Sequence, residues 1–426
     1  MNREIVEVYA DWQPIKAPLL IGQLAYSDSS RGGVFSFAYD KAFLTSAYRL
    51  QIDPMLTLHS GELYNDEANK NFRAFLDSSP DRWGRILMQR RAAIEARKGI
   101  RATSRLNELD YLLGVHDSYR MGGIRFKRAG SDALLDTLFL DNPFLDNNAE
   151  FAAPPMASLS ELEYAAMQIE KDDNIDSDEY YCWLKMLISP GSSLGGARPK
   201  ACVTDEQGHL WIAKFPNLND TYDVGAWEMV CYELALAADV DMFPSEIRQF
   251  SSHHHTFLTK RFDRQGELRL HFSSAMTQLQ YYDGEQSQGA SYLEIAEFLS
   301  TQGAQTEADL AQLWRRIVFN IAVSNTDDHL RNHGFLLTKN GWKLSPAYDL
   351  NPIVGKHGLH LNITDADNAL DYQLAFDVKD FFRLSQTQAT QIYDEVLNAV
   401  KQWQIVAKRL GLSRAEQAMK ESAFNV

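Results

Sequence analysis

Ser324–Leu350, SNTDDHLRNHGFLLTKNGWKLSPAYDL, sets the reading of the whole chain. Asp327 is followed five residues later by Asn332, then by an apolar run from Gly334 to Leu337, a turn at Lys339-Asn340-Gly341, a second run through Trp342 and Leu344, and Asp349. Phosphoryl transfer needs a carboxylate to orient an attacking hydroxyl, an amide and a second carboxylate to hold magnesium on the phosphates, and a rigid support that fixes the spacing. An Asp-x-x-x-x-Asn loop running into a tight hairpin that ends in Asp supplies those parts in that order. Asp327 is then the candidate catalytic carboxylate, and Asn332 and Asp349 are the candidate metal ligands, with oxygen donors suited to a hard cation. Taken alone the Asp-x-x-x-x-Asn spacing says little, because Asp and Asn are favoured in turns for their backbone chemistry. The hairpin and the second Asp sharpen it, and so does what lies upstream.

Residues 187–216, LISPGSSLGGARPKACVTDEQGHLWIAKFP, place Gly191, Gly195 and Gly196 around Ser192 and Ser193. A strand pair follows, Ala201–Thr204 and Leu210–Phe215, turning at Gln207-Gly208. Glycines let a backbone approach phosphate and aim its N–H groups at the oxygens. The loop matches neither GxxxxGK[ST] nor GxGxxG, so Lys214 carries more of the argument. It lies between apolar Ile212 and Phe215, where an ammonium is costly without an anionic partner. A phosphate together with a helix carboxylate is the set that nucleotide kinases use. The next helix, Val224–Ala238, buries Trp227, Val230, Leu234 and Ala237 and offers Glu228 as that carboxylate.

Composition narrows the classes. The 426 residues are enough for two or three packed subdomains. A net charge of −15 argues against a free-standing nucleic-acid binder that works through a basic surface. Cys182, Cys202 and Cys231 have no CxxC spacing and read as reduced thiols in the core of a cytosolic protein. The start, MNREIVEVYADW, does not read as a secretory signal, and no window approaches the apolar length of a membrane helix, so a soluble cytoplasmic protein is expected.

Outward from the central stretch, residues 4–10, 19–26 and 34–39 alternate as three strands of a β-meander. A helix follows Leu76, with Ser79 and Pro80 as cap and first residue and Gly99 as its stop. Arg90, Arg91, Arg97, Lys98, Arg101 and Arg105 read as its solvated face. The chain becomes loop-like between Leu134 and Met156, then predicts a helix over 159–171 and an exposed acidic linker from Asp172 to Glu179. Residues 247–264 predict a hairpin with His253-His254-His255 at its tip, and the strand Phe257–Phe262 is the connector whose backbone could pair with adenine. Two helical stripes follow, Tyr292, Ile295, Phe298 and Leu299, then Leu310, Leu313, Ile317 and Ile321, the second leading into Asp327. Near the end, Ser385 with Gln388 forms a capping box before an amphipathic face of Ile392, Val396, Val400, Trp403 and Leu410.

These segments together resemble HipA-like serine/threonine kinases, the toxin component of bacterial type II toxin–antitoxin pairs. The likeness runs through RGGVFSFAYDKAFL, LDSSPDRWGR, MGGIRF, SSLGGARPK, IAKFP, KRFDR, NTDDHLRNHGF and LSPAYDL in order. It implies an α+β, two-lobed protein-kinase-like fold: an N-terminal subdomain over 1–155, an N-lobe core over 156–264 and a helical C-lobe over 265–426. It implies use of ATP and Mg2+. Lys214 would bind the ATP phosphates, Asp327 would be catalytic, and Asn332 and Asp349 would hold magnesium. His329 falls at a position that the family keeps near the nucleotide, Gly195, Gly196 and Ala197 would belong to the nucleotide loop, and Lys260 and Phe262 would offer backbone groups to adenine. Ser193, or its neighbour Ser192, matches the family's autophosphorylated serine, where added negative charge would expel the loop and switch the enzyme off. The resemblance also implies a HipB-like helix-turn-helix antitoxin, DNA reached only through that antitoxin, and a protein substrate, with aminoacyl-tRNA synthetases among the family's targets. It is compatible with a homodimer and involves no membrane. Arg198-Pro199 departs from the Gln-Glu of some members. A kinase of small molecules or lipid head groups on the same frame, and an inactive DNA-bound co-repressor, are the alternatives. The complete set of Lys214, Asp327, Asn332 and Asp349 argues against the second.

Overall fold

The computed structural model describes residues 3–28, 33–65, 70–129, 154–171, 177–188, 198–284 and 289–426. Contacts gather the chain into two units, Met1–Ala213 with Asp263–Ser273, and Lys214–Phe262 with Ser274–Val426. This grouping differs from the division by motif at 155 and 264, for it places Lys214 with the C-terminal motifs. Residues 130–153, most of the loop-like stretch that precedes the first motif boundary, lie outside the described residues.

The first unit opens with β1 (Arg3–Ala10), β2 (Leu19–Ser27) and β3 (Val34–Tyr39), an antiparallel meander. The short helix α1 (Lys41–Thr45) and strand β4 (Glu62–Tyr64) follow, and β5 (Ile124–Arg128) returns to pair with β1, giving the order β4-β3-β2-β1-β5. Alternation explains the sheet: Val6, Val8 and Ala10 point into a core shared with Phe35, Phe37, Phe72 and Phe75, all fully buried or nearly so. Between β4 and β5 run α2 (Arg73–Leu76), α3 (Arg82–Arg97) and α4 (Glu108–Leu113). After β5 come α5 (Leu159–Lys171), α6 (Asp178–Ile188) and the adjacent strands β6 (Lys200–Thr204) and β7 (Leu210–Lys214).

Four expectations for this unit are corrected. The cap of α3 is Asp81, whose carboxylate accepts from the Gly84 N–H at 2.8 Å, while the Ser79 hydroxyl donates backward to the Phe75 carbonyl at 2.9 Å. Asp81 has a second duty that local pattern cannot reveal, since its other oxygen takes the Lys200 ammonium at 2.8 Å. The basic run is a solvated face only in part: Arg97, Lys98 and Arg105 are exposed, but Arg91 is buried against Glu95, Arg90 donates to the Ile169 carbonyl and the Tyr180 hydroxyl, and Lys98 meets Asp178 at 2.6 Å. Arg90 ties α3 to α5 and α6, and Lys98 adds a second contact to α6. Asp178 and Glu179 do not belong to a linker but open α6, where the helix dipole favours negative charge. Of the cysteines, Cys202 and Cys231 are buried but Cys182 is exposed.

The second unit begins at Lys214 and continues into α7 (Val224–Ala237), whose first turn is capped by Asp223. The hairpin β8 (Ser245–Gln249) and β9 (His255–Lys260) pairs Gln249 with His255, so only His253 and His254 belong to the turn. The His255 ring instead meets Asp223 at 2.5 Å. The chain visits the first unit as the two-residue strands β10 (Arg264–Gln265) and β11 (Leu268–Arg269) and leaves it along β12 (Phe272–Ser274). It then forms α8 (Ala275–Gln278), α9 (Tyr292–Gln302), α10 (Thr306–Ala322), the hairpin β13 (Gly334–Thr338) and β14 (Gly341–Leu344), α11 (Tyr372–Asp377), α12 (Gln386–Val400), α13 (Trp403–Arg409) and α14 (Arg414–Lys420).

Helix α10 is the axis of this unit. Leu310, Leu313, Trp314, Ile317 and Ile321 are fully buried along it, and α9 and α12 pack on it. The C-terminal amphipathic face breaks after Val400 into α12 and α13, which turns Trp403 onto Phe424, their rings parallel at 4.3 Å. The predicted capping box of Ser385 and Gln388 is present. Among the described residues no helix is long and apolar enough to cross a membrane.

Candidate active site

Lys214 is the last residue of β7, following the buried Ile212 and Ala213. Its ammonium lies 2.5 Å from Glu228 Oε1, delivered by the second turn of α7, and 2.7 Å from Asp349 Oδ1. Burial disfavours the charge on Lys214, but Asp349 and Glu228 outweigh it and raise its pKa. The lysine is thus a fixed cation with two anionic supports, one of them the candidate metal ligand. Asp349 itself has φ +62°, a left-handed backbone that Asp tolerates better than most residues and that often marks functional sites.

The candidate catalytic loop begins where α10 ends. Ser324 also takes a positive φ, +48°, and turns the chain sharply out of the helix. Asp327 is exposed, whereas its neighbour Asp328 is 2% exposed. Asn332 closes a short helical turn, Leu330–Asn332, and donates its Nδ2 to the Asp327 carbonyl at 3.2 Å. That bond fixes the orientation of the amide. It leaves Asn332 Oδ1 buried and without a protein partner, a costly state for a carbonyl oxygen unless a cation or water completes it. His329 accepts the Asn332 N–H at its carbonyl, and its ring meets His360 edge-on at 5.8 Å.

Three hydrogen bonds lace this loop to the segment around Asp349. The Tyr348 hydroxyl donates to the Arg331 carbonyl at 2.7 Å, the Asn351 N–H to Asn325 Oδ1 at 3.2 Å, and the Ile353 N–H to the Ser324 carbonyl at 3.1 Å. Asp349 therefore sits between two points of attachment to the loop that carries Asp327 and Asn332. Phe262 stacks on Tyr348 with centroids 5.6 Å apart. The N–H of Lys260 donates to the Pro244 carbonyl at 2.8 Å, so of its two backbone groups the donor is already engaged. Ser192, Ser193, Gly195, Gly196 and Ala197 lie outside the described residues.

What the sequence reading overlooked is the environment of Asp328. A single oxygen, Oδ2, accepts from the Tyr292 hydroxyl at 2.5 Å, Asn320 Nδ2 at 2.8 Å and His333 Nε2 at 2.8 Å. Because a carboxylate only accepts, Nε2 carries a proton. Burial pushes the Asp328 carboxyl up, but the adjacent His333 and the bonds from His333 and Tyr292 hold it below the ordinary carboxylate value. The one available signal was the doubled acid Asp327-Asp328, in which nothing local says which of the two turns inward.

A family model described as the HipA-like C-terminal domain matches residues 192–404, half of the chain. The chain belongs to this HipA-like family. Proteins of Sinorhizobium fredii and Haemophilus influenzae named as candidate kinases are 28% identical over 148 residues and 33% identical over 101 residues. These stretches cover 33% and 22% of this chain, and only 33% and 29% of the two relatives. Among solved structures, HipA of Shewanella oneidensis, determined with HipB and operator DNA, matches with a TM-score of 0.65 at 17% identity, over 98% of this chain and 94% of its own. The α+β, kinase-like fold is thereby the HipA fold.

The HipA-like site fits magnesium in its donor chemistry. No group of three or more His, Cys, Asp or Glu side chains is arranged for a metal among the described residues. Magnesium does not need one, since it is usually held by one or two protein oxygens together with water and substrate phosphates. The orphaned Asn332 oxygen and the Asp349 carboxylate are donors of that kind.

Proposed function

We propose that the chain is an ATP- and magnesium-dependent protein serine/threonine kinase of the HipA type, which also phosphorylates its own loop at Ser193 or Ser192. The observation that carries this reading is the bridge from Glu228 through Lys214 to Asp349, tied to a loop that offers an exposed carboxylate at Asp327 and an unpartnered oxygen at Asn332. Glu228 holds the Lys214 ammonium at the end of β7, ready to exchange its Asp349 contact for an ATP phosphate. Asp327 accepts the proton of the acceptor hydroxyl as that oxygen bonds to the terminal phosphorus and ADP departs. Asn332 and Asp349 would hold magnesium, which when bound neutralises charge on the phosphates. Phe262 and the strand before it would flank the adenine.

Regulation would follow the HipA pattern. The Shewanella protein is found with HipB and operator DNA, which supports an equivalent helix-turn-helix partner here. With a net charge of −15, contact with DNA would pass through that partner. The protein would act in the cytoplasm.

The test is mass spectrometry of the intact protein and its peptides after incubation with ATP and magnesium, beside Asp327→Asn. The expected result is phosphate on Ser193 or Ser192 in the parent protein and at least about 100-fold slower incorporation in the variant, the usual scale for a lost general base. Equal incorporation in both would remove Asp327 from catalysis, and binding of ATP without any transfer would contradict the kinase reading.

A further inference from the structure

Beneath the exposed Asp327 lies a polar chain that nothing in the phosphotransfer scheme uses. Tyr292, Asn320, Asn325, Asp328 and His333 are all no more than 2% exposed. Their bonds have a direction. Asp328 is an acceptor, so Asn320 must turn its Nδ2 toward it, which leaves Asn320 Oδ1 facing the other way. That oxygen takes Asn325 Nδ2 at 3.1 Å, which turns Asn325 Oδ1 outward to receive the Asn351 N–H at 3.2 Å. One buried carboxylate thus sets the orientation of two amides and, through them, the position of the backbone two residues beyond Asp349. At its near end the carboxylate is itself fixed by the first residue of α9 and by the residue that leads into β13.

We infer that Asp328, Asn320 and Asn325 form a positioning relay that fixes Asp349 relative to the catalytic loop. The role in catalysis rests on the kinase reading above, whereas the physical linkage does not. Buried amides with every partner satisfied hold a single geometry, and reversal of one donor propagates along the chain. Productive phosphoryl transfer is sensitive to such placement, since about 1 Å of misplacement costs on the order of 100-fold. The relay therefore belongs to kcat rather than to the affinity for ATP, and Asp328 is a positioning residue that touches no substrate.

Asn320→Asp tests this, because it sets two carboxylates against each other at the 2.8 Å contact. Asp328→Asn alone keeps an acceptor oxygen for Tyr292 and His333 and is the milder change. The double exchange, Asn320→Asp with Asp328→Asn, restores a donor–acceptor pair of opposite sense: the new amide donates to the new carboxylate and to His333 Nε2 in the ring's other tautomer, the Tyr292 hydroxyl turns to the carboxylate across its present 3.2 Å contact with residue 320, and a carboxylate oxygen is left for Asn325. Hydrogen–deuterium exchange of peptides covering 348–353 is the first readout, since the N–H groups of Asn351 and Ile353 are the ones that the loop holds. Asn320→Asp is expected to speed that exchange about tenfold or more, and the double variant to return it to within about threefold of the parent. The second readout is turnover: kcat falls roughly 10- to 100-fold in Asn320→Asp with KM for ATP changed less, and recovers in the double variant.

Unaltered exchange at 348–353 in Asn320→Asp, or a double variant no better than the sum of its parts, overturns the relay. Restored exchange in a protein that never transfers phosphate keeps the linkage and sinks the kinase reading instead. Should Asn320→Asp fail to fold, as judged by its melting curve, Tyr292→Phe removes one donor from Asp328 and should show a smaller rise in exchange of the same peptides. No rise there overturns the proposal.

Discussion

At the scale of single residues, the site is organised by the cost of burying charge. Lys214 is only partly exposed and its two partners are carboxylates, so neither can be removed without leaving the rest unbalanced. Lys214→Met would leave Glu228, 6% exposed at its side chain, facing Asp349 with no cation between them. We expect kcat/KM for ATP to fall at least about 100-fold, as for loss of a preorganised charge at the reacting phosphate. Steady-state kinetics with ATP varied would check it, and a change below about fivefold would show that the lysine only braces α7. Glu228→Gln keeps the hydrogen bond but not the charge and should lie between the two. The need for an anionic partner at Lys214 was legible in the sequence, because a lysine between Ile212 and Phe215 has few affordable neighbours. The contact with Asp349, 135 positions away, was not, since nothing local encodes it. Asp328 was illegible for a related reason: Asp327 and Asp328 look alike until the fold sends one of them into the core.

At the scale of elements, strands and the long helices followed their periodicity, while ends and breaks did not. The stripe of Leu310, Leu313, Ile317 and Ile321 is the buried face of α10, as its 3.6-residue spacing implies. The division of α12 from α13 had no Gly or Pro to announce it, and it follows from the packing of Trp403 against Phe424. The hairpin β13–β14 was legible because its turn needs glycine. Gly341 has φ +132°, and a Cβ there would lie 2.6 Å from the Gln302 carbonyl, so both backbone strain and a clash with backbone oppose any side chain. Gly341→Ala should destabilise the protein by roughly 2–3 kcal/mol. A thermal melt would register this as a drop of several degrees. Because the same hairpin spaces Asn332 from Asp349, magnesium-dependent nucleotide binding should weaken alongside. An unchanged melt would mean that the turn relaxes freely and does not set that spacing.

At the scale of the whole molecule, stability depends on pH through groups that the candidate site does not include. His271 is 2% exposed and its ring stacks on Trp12 at 4.4 Å. Burial disfavours the imidazolium and lowers its pKa from 6.5 to about 3. Between those two values the unfolded chain takes up a proton at this position and the folded chain does not. Stability must therefore fall as pH falls through that window, and is unaffected by this residue above it. The contribution lost at pH 5 is about 2 kcal/mol relative to neutral pH. His271→Phe keeps an aromatic ring beside Trp12 and removes the titration, so its stability should vary less between pH 7.5 and pH 5 than that of the parent. Urea unfolding at the two pH values, compared between parent and variant, isolates the proton term from whatever the substitution does to packing. A parent and variant with the same pH dependence would place the acid sensitivity elsewhere, among the carboxylates that the fold holds charged, such as Asp117 between Arg125 and Arg269. That alternative acts at lower pH, because a carboxylate held below its ordinary pKa gives up its contribution only as pH drops toward that lowered value.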